Sequence, residues 1–159
     1  MRHYKIEKEQ QWKLGDHFKI VNADDAKDFF SVTGKIFCLH DHLKICNPQE
    51  QDFVSIDQEH ESLPTYSILR GGKEIANVRK EMTLLNPCFA VNAPGPANYL
   101  IQGDTAKHEY KFVHRDSKHE AACVSKESSN HSYDVKINDG EDVASILATC
   151  IVIDECNNE

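Results

Sequence analysis

Cys38, His40 and His42 alternate in the stretch "CLHDH". On a β-strand alternate side chains share a face, so the three could converge on one point. Two imidazoles and a thiolate suit zinc. The competing reading is a hairpin within "KIFCLHDHLKIC", with His40 and Asp41 as a two-residue turn. That register sets Leu39 against His42, Cys38 against Leu43 and Ile36 against Ile45. It gathers apolar side chains on one face, as a half-buried sheet requires, and it removes His40 from the alternation. The hairpin is the expected reading, with no metal site and no cofactor.

A second stretch, "ILRGGKEIANVRK", could bind an anion. Arg70 and Lys73 flank Gly71 and Gly72, and a two-residue hairpin puts the two cations opposite each other. Arg79 and Lys80 follow on the second strand. Between Ser62 and Gly103 four cations outnumber Glu74 and Glu81, a local charge of +2, so the rest of the chain carries −10 of the total −8. Arg70, Gly71, Gly72, Lys73, Arg79 and Lys80 are therefore the candidate anion or headgroup site, with glycine N–H groups assisting. The plainer alternative is a solvated hairpin.

Catalytic patterns are absent from the sequence. There is no G-x-S-x-G, H-E-x-x-H or phosphate-binding loop. Six Cys and nine His make chance pairs inevitable, and a nucleophilic Cys–His pair is defined by geometry. No catalytic residue is assigned, and a non-enzyme is expected.

The elements that would position these residues are short. Runs such as "HYKIEK", "DHFKIV", "DFVSID", "TYSILR", "EYKFVHR" and "SYDVKIN" alternate or are apolar, with turn residues between them. About twelve strand candidates can be counted this way. The end differs: in "DGEDVASILATCIVIDEC", Val143, Ile146, Leu147, Cys150, Ile151 and Ile153 follow helical spacing. Asp139 or Asp142 can cap this helix. Ser145 and Thr149 are almost its only polar side chains, and a helix apolar nearly all round is usually buried. Wrapping the sheet around it is a simple way to bury it.

Bulk properties narrow the function. A chain of 159 residues with 40% hydrophobic and 28% charged residues can form one domain with a real core. The net charge of −8 argues against general nucleic-acid binding. The first residues lack a secretory pattern, and Val143–Ile153 is too short to span a bilayer. Cys38, Cys46, Cys88, Cys123, Cys150 and Cys156 mostly sit among apolar neighbours, as free buried thiols do. A cytoplasmic monomer without a transmembrane segment is expected, able to sit peripherally at a membrane.

Taken together, "VTGKIFCLHDHLKI", "SLPTYSILRGGKEIANVRKEMTLLNPCFAV", "NYLIQGDTAKHEYKF" and "SYDVKINDGEDVASILATCIVID" resemble the LURP-one-related (tubby C-terminal-like) family. The matching pieces are Val32–Lys35, Pro64–Ile68, Tyr99–Gly103, Tyr133–Val135 and Glu141–Asp154, and the likeness runs from about Tyr4 to Asp154. The stretch "SSNHSYDV" departs from the family, which often has an aromatic residue and Asp ahead of the Tyr. The resemblance implies a single domain over 1–159: a mainly-β, closed twelve-stranded barrel around a buried hydrophobic C-terminal helix. Its fold relatives are tubby domains, which bind phosphoinositide headgroups, and phospholipid scramblases. The function expected on that basis is a non-enzymatic binding module for phosphoinositide or other anionic phospholipid headgroups. A protein-interaction or scaffold domain with a protein partner is the alternative.

Overall fold

Alternation in the sequence becomes alternation in space. In β1 (Arg2–Glu9), Tyr4 and Ile6 are buried while Lys5 and Glu7 remain partly exposed. The computed structural model describes residues 1–9, 17–35, 42–46, 52–60, 65–82, 87–93, 98–126 and 132–157. These form twelve strands and one helix. After β1 come β2 (His17–Asn22), β3 (Asp25–Lys35), β4 (His42–Cys46), β5 (Asp52–His60) and β6 (Thr65–Arg70). Then follow β7 (Lys73–Met82), β8 (Pro87–Asn92), β9 (Tyr99–Asp104), β10 (Glu109–His114), β11 (Glu120–Lys126) and β12 (Ser132–Ile137). Helix α1 (Val143–Asn157) closes the sequence. The protein is thus mainly β, an antiparallel sheet with one C-terminal helix packed on it.

Each strand pairs antiparallel with the next, and β1 pairs with β12 as well as β2. The registers carry apolar side chains across strand after strand on the helix-facing side. Ile6 lies opposite Ile20, and Ile20 opposite Phe30. Tyr66, Val78, Val91 and Tyr99 continue the row across β6 to β9. Tyr110, Val124, Val135 and Tyr4 do the same from β10 through β11 and β12 to β1. A register slip of one residue would turn each such row outward.

The β3–β4 connection corrects the sequence reading. Ile45 lies opposite Val32, not Ile36, and Lys35 lies opposite His42. The described ladder therefore pairs β4 four residues earlier along β3 than a His40–Asp41 hairpin requires, and the turn itself, residues 36–41, lies outside the described residues. The slip is an even number of residues, so Ile45 still meets a β-branched apolar partner on the same face. Hydrophobic alternation alone cannot separate two registers that differ by an even step.

Helix α1 is buried from residue 144 to residue 154, all at most 5% exposed. It packs most closely on β5, β6 and β7, where Ala76 and Val78 leave room for it. Asp142, not Asp139, is its cap. The Ser145 N–H donates to Asp142 Oδ1 (3.2 Å) and the Ser145 hydroxyl donates to Asp142 Oδ2 (2.9 Å). Ser145 and Thr149 are buried too. Thr149 Oγ1 donates to the Ser145 carbonyl (2.6 Å), which satisfies its hydroxyl within the helix.

Gly103 shows how closely two strands approach. Its φ is +129°, and a Cβ there would collide with the Glu109 carbonyl oxygen and lie 2.8 Å from Tyr110 Cα. Gly72 also has positive φ, +80°, but open space around it. Gly103→Ala is expected to destabilise the protein by clearly more than Gly72→Ala, whose cost is about 1 kcal/mol. Leu147→Ala should cost about 2–5 kcal/mol, as large-to-small changes at fully buried sites do. Urea denaturation of the three variants measures both differences.

Candidate functional site

The β6–β7 hairpin is built as its sequence predicts. Gly71 and Gly72 take φ of +60° and +80°, the conformation of a type I′ turn, which L side chains adopt poorly. The turn sets Arg70 opposite Lys73. Both cations are exposed, and nothing lies within 4 Å of where a Cβ would project from either glycine. A bulge follows the turn: Leu69 faces Glu74 while Ile68 faces Ala76. The buried Ser67 hydroxyl donates to Glu74 Oε1 (2.7 Å), which draws that carboxylate onto the strand.

Arg79 and Lys80 are not part of this tip. Arg79 lies opposite Thr65, at the other end of the hairpin. Six residues separate it from Lys73, about 20 Å of extended chain. Successive residues of a strand also face opposite sides: Arg79 is exposed, whereas Lys80 is partly covered and lies opposite buried Phe89. The structure brings together Arg70, Gly71, Gly72 and Lys73, and it leaves the other two cations apart.

Of the Cys38–His40–His42 set, Cys38 and His40 lie outside the described residues, and His42 opens β4. Among the described residues no three His, Cys, Asp or Glu side chains come together as a metal site would need.

Two polar clusters that the sequence reading did not single out sit at the ends of α1. At the amino end, Glu141 accepts hydrogen bonds from Tyr99 OH (2.8 Å) and His114 Nε2 (2.7 Å). The Tyr99 and His114 rings pack at 5.2 Å. Burial and the hydrogen bond to Glu141 push the Tyr99 phenol well above its usual range. At the carboxyl end, the His108 ring stacks on Tyr133 at 4.3 Å, and its Nε2 lies 3.8 Å from Asp154 Oδ1. His108 takes a positive φ of 54° to get there. Tyr110 OH interacts with the Cys150 thiol without a well-formed hydrogen bond. Burial pushes Tyr110 upward and pushes Cys150 up to about 12. The signal in the sequence was thin: eight scattered residues that only the fold makes neighbours.

A mainly-β antiparallel sheet with a buried C-terminal helix defines the class of protein. The family model described as LURP-one-related matches residues 5–154. The uncharacterized protein YxjI of Bacillus subtilis (strain 168) is 33% identical over 150 residues, spanning 92% of this chain and 89% of that protein. The chain therefore belongs to the LURP-one-related family. Its fold is also similar to the X-ray structure of an Arabidopsis thaliana protein, with a TM-score of 0.70 at 14% identity over 98% of this chain and 91% of the other. Among the described residues no helix is long and apolar enough to cross a membrane.

A thiol held up near 12 stays protonated at neutral pH and is a poor nucleophile. In the native protein Cys150 should therefore resist iodoacetamide at about pH 8, an ordinary thiol's range, and react once urea unfolds the chain. Peptide mass spectrometry reads both states.

Proposed function

We propose that this protein is a non-enzymatic binding module that receives an anionic headgroup, of a phosphoinositide or another anionic phospholipid, at the tip of the β6–β7 hairpin. One observation carries the reading: Arg70 and Lys73 face each other, exposed, across an open Gly-Gly turn. Like charges directly opposite on a ladder are unfavourable, and an anion between them relieves the repulsion. Arg79 and Lys80, though in the original candidate set, stand outside this site. In this reading the protein is a cytoplasmic monomer, peripheral to the membrane.

We also read the sheet as a closed barrel around α1. The cyclic order of pairings supports this, since β1 pairs on both edges. Among the described residues the ladder is thinnest between β8 and β9, which pair at Ala90–Leu100 and Val91–Tyr99.

Liposome co-sedimentation tests the function, with phosphatidylcholine, phosphatidylserine and phosphoinositide vesicles at low and physiological salt. Pelleting with phosphoinositide vesicles is expected. Arg70→Glu with Lys73→Glu should weaken it by tenfold or more, since each basic residue near an anionic surface contributes about 1 kcal/mol. Arg79→Glu with Lys80→Glu should leave it within about twofold by the same reckoning. No pelleting at low salt with any vesicle would sink the headgroup reading and leave the protein-interaction alternative.

A further inference from the structure

Consecutive antiparallel strands alternate in direction, so every connection that follows an even-numbered strand opens at the same end of the sheet. Six connections share that end: 23–24, 47–51, 71–72, 93–98, 115–119 and 138–142. Their charges are unevenly spread. In sequence, 23–24, 47–51 and 138–142 include acids and no Lys or Arg. Lys and Arg occur at two of the six: Arg70 and Lys73 flank Gly71-Gly72, and Arg115 and Lys118 lie in the β10–β11 turn. The connection between these two turns, 93–98, is uncharged. Met1 and Arg2 open β1 at this end too, and the Met1 ammonium, helped by Arg2, holds the Asp139 carboxyl below its ordinary range.

The β10–β11 turn is tied down. The His114 N–H donates to the His119 carbonyl (2.8 Å) and the Lys118 N–H donates to the His114 carbonyl (3.0 Å). Lys118 has a φ of 65°, which disfavours any residue with a Cβ, so a lysine stands where glycine would fit better. The Arg115 N–H donates to the Asn98 carbonyl (3.1 Å), and its Nη2 donates to Asn92 Oδ1 on β8 (3.1 Å). Asn92 Nδ2 donates in turn to Asn77 Oδ1 on β7 (3.4 Å). Arg115 thus reaches across β9 toward the β6–β7 hairpin, and it stays exposed, as does Lys118. Asp116 and His119 are exposed in the same turn.

We propose that the β10–β11 turn is a second contact for an anionic bilayer surface, so that Arg70 with Lys73 and Arg115 with Lys118 engage separate headgroups of one membrane. This inference rests on the headgroup reading of the β6–β7 tip and extends it. The two turns lie four strand spacings apart, about 20 Å, which is wider than one headgroup. Once either tip is bound, the other binds intramolecularly, a gain that a surface offers and a single soluble headgroup does not. The acids of the remaining connections keep their side of this end turned away from the anionic surface.

Two measurements on the full chain test this. One is co-sedimentation with vesicles of phosphatidylcholine, phosphatidylserine and phosphatidylinositol bisphosphate; the other is calorimetric titration with soluble inositol trisphosphate. Arg115→Glu with Lys118→Glu should weaken vesicle binding about tenfold or more and leave inositol trisphosphate binding within about twofold. Arg70→Glu with Lys73→Glu should weaken both. Lys118→Gly removes one charge and suits the positive φ, so it keeps the fold; it should weaken vesicle binding about fivefold. If the Arg70/Lys73 variant loses vesicle binding while both β10–β11 variants stay within about twofold of wild type, the second contact is overturned and the single-tip reading stands. Loss of inositol trisphosphate binding in the β10–β11 variants also overturns it, since the turns would then share one headgroup. If wild type pellets with no vesicle, or the Arg70/Lys73 variant pellets as wild type does, the headgroup reading falls and this inference falls with it.

Discussion

Everything in this protein answers to one constraint: a helix that is apolar on nearly every side must be removed from water on every side. Residues 144–154 of α1 are buried without exception. A single flat sheet covers one face of a helix, and the opposite face would remain wet. The long antiparallel ladder, with β1 paired on both edges, supplies apolar side chains around the helix. Each fully buried Ile or Leu contributes about 1.5–3 kcal/mol through removal from water. Because the helix has no polar face, its hydroxyls are satisfied from within. Ser145 bonds to the cap residue Asp142 and Thr149 bonds to a helix carbonyl.

The interior around the helix is uneven. On β7, Ala76 and Val78 let α1 approach closely. Across β9, β10 and β12 the space is filled by Tyr99, Tyr110, Phe112 and Tyr133. Tyrosines carry a polar end, and that end explains where polar groups collect. Tyr99 reaches Glu141 at the amino end of the helix, and Tyr110 meets Cys150 toward the carboxyl end. Aromatic filling thus accompanies the placement of His108 and His114 against the helix ends.

The hairpin tip of β6–β7 has a different relation to the core. Its strands contribute Tyr66, Ile68, Ala76 and Val78 to the interior. Its turn projects into solvent with two opposed cations and no nearby side chain at the glycines. The tip proposed to bind an anion thus stands apart from the part of the hairpin that joins the core. Under that proposal, changes at Arg70 and Lys73 alter recognition while leaving the helix and its cover intact. The registers beyond the tip, with the bulge at Leu69, show that the ladder adapts near the turn.

Much of the fold was legible in the residues. Period-two alternation located the strands, the helical spacing of Val143, Ile146, Leu147, Cys150 and Ile151 located α1, and Gly71-Gly72 located its turn with the right pairing of Arg70 and Lys73. These are local properties, set by the backbone preferences of glycine and by side-chain periodicity. The β3–β4 register was not legible, because shifts by an even number of residues preserve the same hydrophobic face. The grouping of Arg79 and Lys80 with the tip failed for a related reason: nearness in sequence along an extended strand means distance in space. Nor could local patterns join His108 to Asp154 or His114 to Glu141. The sequence by itself determined which segments are strand, helix and turn, because those choices depend on neighbours along the chain. Only the tertiary structure decided which charges meet, because that depends on strand register and on how a buried helix lies against β10.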